Sequence, residues 1–77
     1  MAFLIPTEGA RKPIKGPFTL TALKNFVGGP IEFIDLSYGD VLVINSTGLG
    51  PINAVSCSLV RRLVHGPAVL CSPEDIA

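Results

Sequence analysis

The stretch TLTALKNFVGGPIEFIDL, residues 19–36, decides the fold, because a helical pattern ends within it and a strand pattern begins at once. Thr19 is a suitable N-cap, Gly28 suits the left-handed position that follows a helix, and Pro30 prevents the helix from continuing. The apolar residues between them share one helical face: Leu20, Leu23, Phe26 and Val27. A helix followed directly by a strand predicts a small α+β domain.

The strand segments are short and rich in β-branched and aromatic residues. Residues 31–36 and 41–46 flank a turn of hairpin length, so we expect two adjacent antiparallel strands there. A first strand is predicted at residues 2–5 and a last one at residues 68–71. Residues 10–16 fit either an edge strand, which we favour, or a basic loop.

A second helix is predicted from the N-cap Asn53 to about His65, where Gly66 and Pro67 follow. Its expected buried stripe consists of Val55, Leu59 and Leu63, widened by Val60 and Val64. We expect both helices to pack on one face of a mixed, mainly antiparallel sheet. Residues 1–77 then form a single domain, in which residues 72–77 are a frayed acidic tail.

The composition favours a small protein that self-associates. Of the 77 residues, 48% are hydrophobic and 16% are charged, and a chain of this length buries only about 60% of its unfolded surface. The net charge of zero argues against nucleic-acid binding driven by phosphate neutralisation. No apolar run approaches the ~20 residues of a membrane span, and no secretory signal is evident, so a cytoplasmic protein is expected.

Metal and catalytic signatures are weak. Cys57, His65 and Cys71 are separated by seven and five residues, whereas zinc sites usually contain close pairs and four ligands. With one histidine available as a base, we expect no enzyme, no metal, no cofactor and two reduced, inert thiols. Glu32 and Asp35 lie three residues apart on one strand, so they face opposite sides and cannot share a proton.

The polar loop after the second hairpin strand is the strongest candidate binding site. Gly48 and Gly50 would let backbone N–H groups approach an anion, and arginines of the following helix would help if a second subunit brings them across the loop. An ordinary turn explains the same composition, and the loop has no Walker lysine. The candidate ligand-binding residues are Asn45, Ser46, Thr47, Gly48, Gly50, Asn53, Arg61 and Arg62. Tyr38 is a weaker candidate, for stacking on a base.

One motif carries a family resemblance. The pattern LxxxVGGxIE at residues 23–32, with Asn45, the stretch 53–55 and an apolar last strand after Gly66, is similar to a small uncharacterised family of phages, plasmids and mobile elements. The similarity spans residues 2–71. The chain departs from that family at Ser46 and Thr47, where acidic residues are more common. It departs again at Cys57, where a small or hydroxyl residue is common.

The resemblance implies a mobile-element accessory protein in the cytoplasm of a bacterial host. Short phage proteins of this kind include inhibitors of host defence, some of which sequester nucleotide immune signals between subunits. The leading hypothesis is therefore a homo-oligomeric sponge for a cyclic or ADP-ribose-type nucleotide. The alternative is a protein-binding inhibitor of a host enzyme or defence complex. A third hypothesis, an enzyme acting on such nucleotides, would need His65 as its base.

Overall fold

The computed structural model describes residues 2–77 as one antiparallel sheet with a helix against each face. The strands are β1 (Ala2–Ile5), β2 (Lys12–Ile14), β3 (Ile31–Asp35), β4 (Val41–Asn45) and β5 (Ala68–Cys71), and the helices are α1 (Leu20–Val27) and α2 (Ala54–Val60). The strand order is β2-β1-β5-β4-β3. This arrangement confirms the predicted α+β class, the hairpin of β3 and β4, and the edge-strand interpretation of residues 10–16.

The two helices lie on opposite faces of the sheet, so the expectation that they share one face was wrong. Val41 and Val43 of β4 pack in the cluster that contains α1, whereas Leu42 and Ile44 pack in the cluster that contains part of α2. Successive side chains of a strand point to opposite faces. Because all four of these residues are buried, β4 needs apolar cover on both sides.

Helix α1 follows the sequence signals closely. Thr19 caps it by accepting a hydrogen bond from the Ala22 N–H at 3.1 Å. Gly28 ends it in the left-handed conformation at φ 82°, where its N–H donates to the Lys24 carbonyl. Leu23 is fully buried against the sheet, whereas Leu20 is exposed, so the buried face is narrower than the predicted stripe.

Helix α2 ends at Val60, five residues before the predicted end at His65. Arg61 adopts a left-handed φ of 55° there, and its N–H donates to the Cys57 carbonyl at 2.7 Å. Cys57 and Val60 contact the core, but the predicted stripe of Val55, Leu59 and Leu63 is exposed. The prediction of a buried stripe was therefore wrong for these three residues, whereas Val60 and Val64, which were expected to widen the stripe, do pack in the core.

The segment after α2 turns back along the loop that precedes it. The Asn53 N–H donates to the Val64 carbonyl, and the Gly66 N–H donates to the Pro51 carbonyl, both at 2.8 Å. The chain thus returns to the end of the sheet at which β4 left it. For this reason β5 runs antiparallel to β4, and the five-stranded sheet formed by residues 2–77 has no parallel pair, contrary to the mixed sheet expected.

Residues 72–77 are folded onto the domain, so the expectation of a frayed tail was wrong. A short 3-10 helix spans Pro73–Asp75, and Ile76 forms a parallel bridge with Phe18. The Phe18 N–H donates to the Asp75 carbonyl at 2.6 Å, and the Ala77 N–H donates to the Phe18 carbonyl at 2.8 Å. Neither helix of the described chain has the length and apolar character needed to cross a membrane.

Candidate functional site

The loop after β4 is held together by the side chain of Asn45. Its Oδ1 accepts hydrogen bonds from the Thr47 N–H at 2.9 Å and from the Thr47 hydroxyl at 2.6 Å. Its Nδ2 donates to the Val27 carbonyl at 3.2 Å, which ties the loop to the end of α1. Asn45 therefore organises the loop, and both polar groups of its side chain are already engaged.

Much of the hydrogen-bonding capacity of the loop is satisfied internally. The Ser46 N–H donates to the Pro30 carbonyl at 2.8 Å, and the Leu49 N–H approaches the Thr47 hydroxyl oxygen at 3.4 Å. Within residues 2–77, no hydrogen bond engages the N–H groups of Gly48 and Gly50. Both glycines have positive φ. The backbone donors left for an anion in this loop are these two N–H groups, and the exposed Ser46 hydroxyl is a further donor that engages no described residue.

Asn53 is buried, with 1% of its surface exposed. Its Oδ1 caps α2 by accepting from the Ser56 N–H at 3.1 Å, and its Nδ2 donates to the Ile5 carbonyl at 2.9 Å and to the Gly66 carbonyl at 3.0 Å. The side chain thus connects α2, β1 and the return segment. Its contacts lie within the fold.

The two arginines after α2 have different environments. Arg62 forms a bidentate ion pair with Glu32 of β3, with N–O distances of 3.1 and 3.3 Å. Arg61 makes no ion pair with any described residue, and it is exposed. Arg61 is therefore the more available of the two cations.

Arg61 lies in a surface depression between the end of α2 and the end of β3. The lining residues are Ile34, Asp35, Leu36, Ser37, Ser58, Leu59, Val60 and Arg61. Ser37 and Ser58 are absent from the predicted site residues. Ser58 lies three residues before Arg61 on one helical turn, a spacing from which it could have been found; Ser37 is near only through the tertiary fold. The depression combines a guanidinium, an aspartate, two hydroxyls and apolar walls, and the Ser58 hydroxyl already donates to the Ala54 carbonyl at 3.2 Å.

Within one chain the glycine loop and Arg61 do not lie together. In the hairpin, Ile31 pairs with Asn45 and Asp35 pairs with Val41. The loop thus leaves at the Ile31 end of β3, whereas the Arg61 depression includes Leu36, just beyond the Asp35 end. At roughly 3.3 Å per residue, the length of β3 separates them by about 13 Å. The predicted site residues therefore form two groups.

The histidine and the cysteines have structural contacts. His65 Nδ1 lies 2.8 Å from the Gly50 carbonyl, and the Val64 N–H lies 3.1 Å from the Cys57 sulfur. Both cysteines are free thiols. Burial raises the pKa of the Cys71 thiol above its ordinary value, and Asp75 and Asp40 raise that pKa further. Among residues 2–77 there is no group of three His, Cys, Asp or Glu side chains that could hold a metal.

A second surface is apolar. Among residues 2–77, eight large hydrophobic side chains are exposed, and five of them lie between residues 49 and 63, on α2 and its flanks: Leu49, Ile52, Val55, Leu59 and Leu63. A small monomer does not usually concentrate its exposed apolar side chains in one segment. This segment is a candidate protein-binding surface.

Comparison of the chain with protein-family models, curated proteins and solved structures finds no significant match. The fold and the site define a small α+β protein that offers an arginine-containing depression, a glycine loop and an exposed apolar segment.

Proposed function

We propose that this chain is a non-catalytic, homo-oligomeric binding protein that sequesters a small anionic nucleotide, as some short phage inhibitors of host defence do. The LxxxVGGxIE motif resembles an uncharacterised family of phages, plasmids and mobile elements, which is consistent with such a role. The observation that carries the proposal is Arg61. It is an exposed cation without an ion-pair partner in the described chain, and it lies in a depression that also contains two serines, apolar side chains and one acidic residue, Asp35.

The chemistry of the depression suits a nucleotide. A guanidinium binds a phosphate through two parallel N–H donors, and Ser37 offers a hydroxyl beside it. Leu36 and Leu59 provide apolar contacts for a base or ribose. Tyr38 follows Ser37 in the hairpin turn and is exposed, so its ring is available for stacking. Binding by these groups needs no general base and leaves the ligand intact.

Thermal unfolding with a panel of cyclic dinucleotides and ADP-ribose derivatives tests this proposal. At least one compound should raise the melting temperature of the wild type, by mass action on the folded state, and should be recovered unchanged after denaturation. The Arg61→Asn variant should lose the shift, since asparagine tolerates the left-handed conformation but supplies no cation.

Arg62→Asn is the matched control, because it removes one positive charge from the neighbouring position and disrupts only the pair with Glu32. It should retain the ligand-induced shift. A flat response of the wild type across the panel would overturn the proposal, and so would equal loss of the shift in both variants.

A second candidate function is inhibition of a host enzyme or defence complex by direct protein binding. The exposed apolar side chains between residues 49 and 63 favour it. In this case the wild type and Arg61→Asn should capture the same host protein from lysate, whereas Leu63→Lys should not. Capture that is insensitive to Leu63→Lys would argue against this surface.

A further inference from the structure

Strand β3 is an edge of the sheet with a free row of backbone groups. The Ser46 N–H donates to the Pro30 carbonyl and the Leu36 N–H donates to the Asp40 carbonyl, which sets the alternation of the ladder with β4. By that alternation the N–H and C=O groups of Ile31, Phe33 and Asp35 point away from β4. These outward-facing groups make no hydrogen bond with any described residue.

The other edge of the sheet is poorly suited to pairing. Strand β2 has only three residues, and its middle residue is Pro13, which has no N–H to donate. Lys12 lies within it and Lys15 follows it. Lysine and proline are the residues with which proteins usually protect an edge strand. In β3, Pro30 precedes the strand and its backbone faces β4, so it removes no donor from the free edge.

We infer that two copies of this chain associate through β3, antiparallel about a two-fold axis, with Phe33 opposite Phe33 of the second copy. This register pairs Ile31 with Asp35 of the second copy, so each outward-facing residue exchanges two backbone hydrogen bonds, about six in all. The Phe33 ring, which is 44% exposed, then covers its counterpart across the axis.

Charge and the length of β3 favour this register over the others considered. A register centred on Glu32 or on Asp35 would place that carboxylate opposite its own copy, and like charges directly across a ladder destabilise it. A register centred on Ile34 would pair Ile31 with Ser37, which belongs to the turn. In the register centred on Phe33, Glu32 faces Ile34 and Asp35 faces Ile31, so every residue of β3 is paired within the strand.

The dimer brings together the two groups of predicted site residues, and this consequence rests on the proposed function. Antiparallel pairing places the Ile31 end of one β3, where the glycine loop leaves, beside the Asp35 end of the other, where the Arg61 depression lies. The two-fold axis is perpendicular to the sheet, so both copies of α2 lie on the same side. The first part of the loop, which includes Gly48, thus approaches Arg61 of the other copy, whereas Gly50 lies beside His65 and Gly66 on the β5 side of β4. Two equivalent sites form.

The molecular mass in solution tests whether two copies associate through β3. Sedimentation equilibrium of the wild type should give twice the chain mass at high concentration, and the Phe33→Lys and Phe33→Glu variants should each give a single chain mass. Because the register is symmetric, mixing those two variants should restore a dimer. Leu63→Lys is the control: it lies in the apolar segment near α2, and it should remain dimeric.

Hydrogen exchange of the wild type provides a measurement that needs no variant. Protection of the Ile31, Phe33 and Asp35 amides should increase with protein concentration. A monomeric wild type at all concentrations would overturn the interface, as would a Phe33→Lys dimer together with a Leu63→Lys monomer.

Ligand binding separates this inference from the proposed function. If the site is shared between copies, the monomeric Phe33→Lys variant should bind the panel nucleotide at least about tenfold more weakly than the wild type. A dimer that binds no nucleotide would retain the interface and overturn the proposed function. Unchanged nucleotide binding by monomeric Phe33→Lys would retain the proposed function and overturn the shared site.

Discussion

Two buried polar side chains near the start of α2 differ in whether they form hydrogen bonds. Asn53 is buried with every side-chain polar group bonded, whereas the hydroxyl of Ser56, one turn later, is buried without a partner in residues 2–77. A buried polar group stabilises a fold only when its hydrogen bonds are made. Asn53 therefore contributes to stability, and Ser56 does not do so through its hydroxyl.

We predict that Asn53→Ala lowers the free energy of unfolding by about 3 kcal/mol, because it removes the cap of α2 and the two buried hydrogen bonds to the carbonyls of Ile5 and Gly66. Ser56→Ala, in the same helix, should be within about 0.5 kcal/mol of the wild type or more stable. Urea unfolding followed by circular dichroism measures both. Similar values for the two variants would contradict this account of Asn53.

At the scale of the elements, the two helices differ in how much of their position comes from local signals. Helix α1 begins at Thr19 and ends at Gly28, as the residues themselves favour. The helical pattern of the second helix continues in the sequence to residue 65, but α2 ends at Val60. It ends there because the segment that follows pairs with the loop that precedes the helix. The return segment places Val64 in the core and leaves Leu63 69% exposed.

Substitutions at two adjacent residues, Leu63 and Val64, test whether the segment after α2 is placed as described. Val64→Ala should cost about 2 kcal/mol, since Val64 is buried against β4 and β5 in the cluster on the α2 side. Leu63→Lys should change stability by less than about 0.5 kcal/mol, because its side chain is already in water. In the predicted helix to His65, Leu63 and Val64 would both be buried, so Leu63→Lys would be strongly destabilising as well. Denaturant midpoints at fixed protein concentration distinguish the two.

At the scale of the whole molecule, β4 and β5 belong to both apolar clusters. Val43 and Leu42 are adjacent and fully buried, but they face different helices. Loss of packing on one face therefore weakens the strands that support the other face. The domain should unfold as one cooperative unit.

We predict that Leu42→Ala and Val43→Ala each lower stability by about 2–4 kcal/mol and shift a single unfolding transition without changing its denaturant slope. The reason is that each leaves a cavity in a layer shared by the whole sheet. Urea unfolding monitored by circular dichroism and by tyrosine fluorescence should coincide for both variants. Two separate transitions in either variant would show that the faces unfold independently.

The candidate site is less accessible to sequence reasoning than the fold. The sequence proposed Asn53 and Arg62 as ligand-binding residues along with Arg61 and the glycine loop, but the side chains of the first two bind Ile5 and Glu32, which lie far away along the chain. Ser37 joins Arg61 only because the turn after β3 lies beside the end of α2. Such contacts depend on how elements pack, and the residue pattern of each element does not contain that information.

Local sequence patterns were sufficient to predict the strands β1, β4 and β5, the β3–β4 hairpin and helix α1, because turn residues, caps and the alternation of apolar residues act over a few positions. The placement of the helices on opposite faces and the folding of the last residues onto Phe18 depend instead on how the elements pack together. Burial of β4 on both faces requires cover from distant parts of the chain. That requirement is met by the assembled sheet, and no local pattern specifies it.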